Sequence, residues 1–210
     1  MLQIDPSPER SKLGFKDSVL DSFRFLGDLG FRPVQEKVTF VRYESPTVFV
    51  NIYHGRASFE LGVEIGVLCE PTEQVTLYDI VAWADALKVE GFGQHVMFQV
   101  SSREGVQQFV PKLADLVQRY GEPFLRGNTA AYTEVLEARS RAARGYERQV
   151  QLDDLRRRAE TAWNSKDFAG VVGLYGAIGP DMTSVEAKRL AYAEKQVRAD
   201  NTVFFSPAKQ

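Results

Sequence analysis

KVTFVRYESPTVFVNIYHGRASFELGVEIGV, residues 37–67, is the stretch that decides the fold. Within Ala57–Val67, Phe59, Leu61, Val63, Ile65 and Val67 fall on one side, and Ser58, Glu60, Gly62, Glu64 and Gly66 on the other. A period of two with one apolar set is a strand with one buried face. Val48, Val50 and Ile52 alternate with Phe49, Asn51 and Tyr53 in the same way. A two-residue type II′ turn at Gly55-Arg56 would pair Ile52 with Phe59, Val50 with Leu61 and Val48 with Val63, so that apolar residues meet apolar residues. A slip of one residue would turn a whole apolar set toward water. Lys37–Tyr43 joins through Glu44-Ser45-Pro46 as a third antiparallel strand whose register stays open, with Phe40 on the Tyr53 side if the loop has two residues.

Outward from this meander the signals are helical. Phe15, Val19, Phe23 and Leu26 share a face of a helix from about Asp17 to Leu29, with Gly30 as C′ residue and Pro33 as its stop. Thr76 with Asp79 predicts an N-terminal cap for a helix carrying Leu77, Ile80, Val81, Ala84 and Leu87 on one stripe. Gly91 and Gly93 end it, and His95–Val100 reads as a short strand. Ser101 with Glu104 is the cap expected for the next helix, whose stripe from Val106 to Tyr120 holds phase across Pro111 and so favours one kinked helix. Helices are then expected from Asn128 to Tyr146, Asp153 to Trp163, Asp167 to Ile178 and Thr183 to about Val197, and Val203-Phe204-Phe205 is expected to dock. The fold class is α+β: an antiparallel β-meander with flanking helices in residues 1–125, then an all-helical region in residues 126–210.

The 210 residues, 44% hydrophobic and 26% charged, suffice for a core of ordinary globular composition. The net charge of −2 is unevenly spread: residues 1–125 carry 12 Lys+Arg against 17 Asp+Glu, and residues 126–210 carry 14 against 11. A single cysteine, Cys69, forms no internal disulfide. The first residues show neither a basic segment nor an apolar one of the leader type, and no apolar run reaches membrane-spanning length, so a cytoplasmic location is expected.

Groups with catalytic potential are few. His54, His95 and Cys69 could assemble a thiol–imidazole site of a small hydrolase, but their spacing supports no triad. The expectation is a small buried Cys69 and two histidines at the surface or a sheet edge. Two His and one Cys give no zinc set, and Gly91-Phe92-Gly93 follows a helix instead of opening one, so neither metal nor nucleotide cofactor is expected. Glu60 and Glu64 share a strand face and read as its solvated side.

Two surface features remain. Phe49, Asn51, Tyr53, Glu60 and Glu64 share the second face of the meander, where aromatic and acidic groups suit protein binding unless C-terminal helices cover them. Arg139, Arg144, Arg148, Arg156, Arg157 and Arg158, with Arg141, form an arginine concentration suited to phosphates. Neighbouring Glu137, Glu147, Asp153 and Asp154 can pair with them instead, which is the expected arrangement.

Residues Ala159 to Ala193 resemble a single tetratricopeptide-type helical hairpin. Ala159, Trp163, the turn Lys166-Asp167-Phe168 in place of Gly-Asp-Tyr, and Tyr175 carry the resemblance. Val171 and Ile178 stand where that family prefers alanine, and no proline closes the unit at Met182. The N-terminal order of helix, meander and helices is similar in pattern to small bacterial α/β proteins, some of them toxin-immunity proteins. The resulting expectation is a non-enzymatic bacterial protein-binding module, with a basic toxin as its concrete partner. Nucleic-acid association through the arginine helices is the first alternative, and a small hydrolase the second.

Overall fold

The computed structural model describes residues 8–55, 58–69, 74–86 and 98–204. Two compact units divide the chain, residues 1–140 and 141–210. The first is an antiparallel sheet with helices. Short helices α1 (Pro8–Ser11), α2 (Phe15–Ser22) and α3 (Phe25–Asp28) lead into strands β1 (Arg32–Lys37), β2 (Phe40–Glu44), β3 (Val48–His54), β4 (Glu60–Val67) and β5 (Gln74–Thr76). Helix α4 (Leu77–Ala86), strand β6 (Phe98–Gln99), and helices α5 (Arg103–Tyr120) and α6 (Glu122–Leu125) follow, and α7 (Thr129–Asn164) begins here. Strands run in the order β1-β2-β3-β4-β5, with β6 also on β4.

The predicted first helix is two helices, broken at Phe23–Arg24, yet its stripe of Phe15, Val19, Phe23 and Leu26 is wholly buried. It ends as expected at Gly30, in the left-handed region at φ 82°, with Phe31 N–H donating to the Leu26 carbonyl and Gly30 N–H to Gly27. That is the Schellman pattern, which favours glycine. Pro33 lies beyond the helix end, whose continuation it was expected to stop. It lies in β1, an edge strand, where proline is tolerated and where the pairing shifts between Pro33 and Gln35.

The β3–β4 pairing corrects the expected register by four residues. Ile52 pairs with Val63, Val50 with Ile65 and Val48 with Val67. Strand pairing runs to His54 and Leu61, Gly55 N–H still donates to the Glu60 carbonyl at 2.7 Å, and the connection is longer than a II′ turn, with Gly55 outside the positive-φ region. Phe59 itself adopts φ 53°, leaves the strand and is 37% exposed, where burial was expected. A shift of four keeps the side chains that remain in β3 and β4 on their predicted faces, because strand faces repeat every two residues. Val41, Tyr43, Val50, Ile52, Leu61, Val63, Ile65 and Val75 therefore form the inner face, packed with Ile80 and Leu77 of α4, the buried stripe of α5, and Phe124. The first core extends through Ala131, Tyr132 and Val135, beyond residue 126, where the helical region was expected to start.

Local chemistry explains the helix ends. Thr76 Oγ1 accepts from Asp79 N–H at 3.2 Å and Asp79 accepts from Thr76 N–H at 2.9 Å, a reciprocal cap as read from the sequence. Helix α5 continues through Pro111 but is capped by Ser102, which accepts from Gly105 N–H at 3.1 Å, and not by Ser101. Asn128 accepts from Ala130 N–H at 3.0 Å. Beyond it α7 is one helix, not the two expected, since no proline interrupts residues 129–164.

In the second unit, α8 (Phe168–Ile178) and α9 (Ser184–Phe204) pack around Ala159, Ala162, Val171, Tyr175, Ile178 and Ala193. Asp167 caps α8 through Gly170 N–H, and Thr183 with Glu186 forms the expected capping box of α9. Helix α9 runs to Phe204, past the expected end near Val197. The side chains of residues 200–204, including the two apolar ones expected to dock, lie outside the described residues, as do Leu87, Gly91, Gly93 and His95.

Candidate partner-binding face

The outer face of the sheet carries the predicted set. Register places Phe49 opposite Gly66, Asn51 opposite Glu64 and Tyr53 opposite Gly62, with Glu60 opposite Gln99 of β6. Phe40 lies opposite Tyr53, so it joins this face. Both aromatic rings reach across to β4 and lie over a glycine: a Cβ added to Gly62 would fall within the Tyr53 ring, and one added to Gly66 within the Phe49 ring. Glycine here is a requirement of close approach, with the rings filling the notches that glycines leave in a strand.

The two notches are finished differently. Over Phe49 lies the Arg42 guanidinium, 4.1 Å from the ring centroid. Arg42 Nε donates to Glu44 at 2.7 Å and Nη1 to Asn51 Oδ1 at 3.2 Å, and Asn51 donates on to Glu64 at 3.3 Å. Phe49 is in consequence 2% exposed and Asn51 8%. These two predicted contact residues thus present almost no surface, because an arginine of the neighbouring strand shuts the notch. Arg42 and Glu44 were not singled out from the sequence, although they share the parity of Phe40, which the alternation already placed on this side.

Over Tyr53 no such arginine lies among the described residues. Tyr53 is the one residue of β3 that is not buried, and Glu60 and Glu64 beside it are half-buried. Partial burial first, then the charges of Glu64 and Glu60, raise the Tyr53 phenol above its ordinary pKa, so both carboxylates act on the ring oxygen.

His54 contradicts its predicted place at the surface. It continues the parity of Val48, Val50 and Ile52 onto the inner face and is 2% exposed. Its Nε2–H donates to the Val100 carbonyl at 2.7 Å, and Nδ1 accepts from Arg10 Nη1–H at 3.0 Å, a neutral tautomer that satisfies both contacts. Arg10 also donates to the Gly55 carbonyl at 3.0 Å and lies 4.0 Å from the Phe59 ring centroid. Burial, together with the Arg10 charge, lowers the His54 pKa against the opposing Val100 hydrogen bond. Cys69, expected buried, is exposed. Leu61, the partner of His54, and Val67, two residues before Cys69, stand at opposite ends of β4, roughly 20 Å apart at ~3.3 Å per residue. His54 and Cys69 therefore do not share a site. Among the described residues no cluster of three or more His, Cys, Asp or Glu could hold a metal.

The arginines are largely engaged by acids of their own units. Arg139 lies 3.5 Å from Asp79 and donates to the Gln74 carbonyl. Arg148 pairs with Asp181 at 2.7 Å and Arg156 with Glu186 at 2.8 Å. Arg157 and Arg158 both reach Asp154, and Arg144 is exposed. Among the described residues no helix is long and apolar enough to cross a membrane.

Compared with protein-family models, with curated proteins and with solved structures, the chain matches none of them.

Proposed function

We propose that this chain is a non-enzymatic protein-binding module whose contact surface is the Tyr53 end of the outer sheet face. The observation that carries the reading is the contrast along β3, where six of seven residues are buried and Tyr53 alone is not. An aromatic residue held against a rigid strand and rimmed by carboxylates has the make-up of an interface hot spot. The excess of acid in residues 1–125 favours a basic partner through steering charge. Neutralisation of a basic toxin inside a bacterial cell is the concrete form of this role.

The test places a photo-crosslinking residue at Phe40, beside Tyr53, and at Tyr78, which is 60% exposed elsewhere in the same unit. In the native host a discrete adduct should form from position 40 and not from position 78. Tyr53→Ala should weaken the adduct partner by about 2 kcal/mol or more while the melting temperature holds. Equal labelling from both positions, or a Tyr53→Ala variant that only melts earlier, would remove this face from consideration.

A further inference from the structure

The outer sheet face builds the same platform twice, and only one is closed within the described structure. Phe49 lies over Gly66 and is capped by a guanidinium, which is in turn held by the Glu44 carboxylate and the Asn51 amide. Tyr53 lies over Gly62, four residues along the same strand, and is flanked by Glu60 and Glu64. Glu64 accepts a hydrogen bond from Asn51 at 3.3 Å. Among the described residues no cation lies over the Tyr53 ring. The position that would correspond to Arg42 in the β2–β3 register falls two residues before Phe40, at Val38 in the β1–β2 turn, and valine supplies no charge.

From this repetition we propose that the Tyr53–Gly62 platform is a receptor for an arginine side chain of the partner. It rests on the reading of this face as a protein-binding surface and names the group recognised there. The chemistry is the one the chain uses on itself. A planar guanidinium stacks on an aromatic ring that lies over a glycine, and its N–H groups reach acceptors at the ring's margin, a carboxylate and an amide oxygen in the case of Arg42. Lysine matches this less well, because a point-like ammonium neither stacks nor bonds in a fork. Tyr53 contributes the ring, and Glu60 and Glu64 contribute acceptors and charge. Gly62 contributes the absence of a Cβ.

The experiment is an amide-resolved NMR titration of the full chain with a capped Gly-Gly-Arg-Gly-Gly peptide. Citrulline and lysine versions serve as controls of the same backbone. The arginine peptide should give saturable shifts centred on Tyr53, Gly62, Glu60 and Glu64, and leave Phe49 and Gly66 unmoved. The neutral citrulline peptide should not bind, and the lysine peptide should bind several-fold more weakly. Glu60→Gln with Glu64→Gln should weaken the arginine peptide by about tenfold or more, the loss expected when charge-assisted bonds become neutral ones. Tyr53→Phe should keep affinity within about twofold and Tyr53→Leu should lose most of it, since the ring face and not the hydroxyl is used. The unchanged amide spectrum of each variant away from the site verifies the fold. Citrulline binding as well as arginine, or shifts spread over exposed carboxylates such as Asp115 and Glu122, would overturn the inference.

Two outcomes separate this inference from the proposed function. An adduct from position 40 without arginine-peptide binding overturns the arginine receptor and leaves the protein interface standing. Peptide binding without an adduct supports the receptor and overturns the assignment of a protein partner in that host.

Discussion

Leu61 shows at the scale of one residue how a strand is held. It is 1% exposed, between His54 on β3 and Phe98 on β6. Leu61→Ala should cost about 2–5 kcal/mol in a chemical denaturation curve, the range for a truncated buried leucine. A loss well below this would mean that the inner face collapses into the space. His54 gives a prediction of different kind. Its pKa in the folded chain is lowered by burial and by Arg10, so the unfolded chain binds the proton more readily. Stability is then fully present above the ordinary histidine value of about 6.5 and falls as pH drops from there through the lowered folded value. Protonation would set a second N–H against the Arg10 donor. Melting temperature followed between pH 7.5 and 5 should fall more steeply for the natural chain than for His54→Gln, whose amide can serve both neighbours. Parallel curves would show that this imidazole does not titrate across the transition.

At the scale of elements, capping and turn chemistry account for most boundaries. Lys166, in the turn between α7 and α8, adopts φ 59°. An L-residue with a side chain is strained there, which is why the resembled turn uses glycine. Lys166→Gly should therefore raise the stability of the hairpin by about 1 kcal/mol, read as a later denaturation midpoint. An earlier midpoint would mean that the lysine stem contributes packing larger than the strain. The continuity of α7 teaches the converse. Its residues 147–152 carry no breaker, and a gap in the apolar stripe shows where a helix lacks a neighbour without showing where it stops.

For the whole molecule, the distribution of charge decides how it meets polyanions. Arg139, Arg148, Arg156, Arg157 and Arg158 lie against acids of their own chain, and the net charge is −2. Random duplex DNA should accordingly bind only weakly near physiological salt. Phosphate contacts would be betrayed by a log–log salt slope of about −0.9 for each one made. Sub-micromolar, salt-sensitive binding in a fluorescence anisotropy titration would mean that the arginines abandon their acids for phosphate.

The amino-acid sequence by itself determined the α+β class, the two faces of the sheet and most helix caps, because each rests on interactions between residues close in the chain. Parity is a local property, so Val50, Ile52, Leu61 and Ile65 could be assigned inward from their spacing alone. Only the tertiary structure decided the register, since alternation repeats every two residues and is equally satisfied by a shift of four. The same limit applied to His54. Its parity pointed inward, but the partners that make burial of an imidazole tolerable, Arg10 and Val100, are more than forty residues away on either side. The outer face was legible as a list, Phe49, Asn51, Tyr53, Glu60 and Glu64, and not as a surface. That Phe49 is shut depends on Arg42 crossing from β2, and a contact between strands exists only once the register has set them side by side.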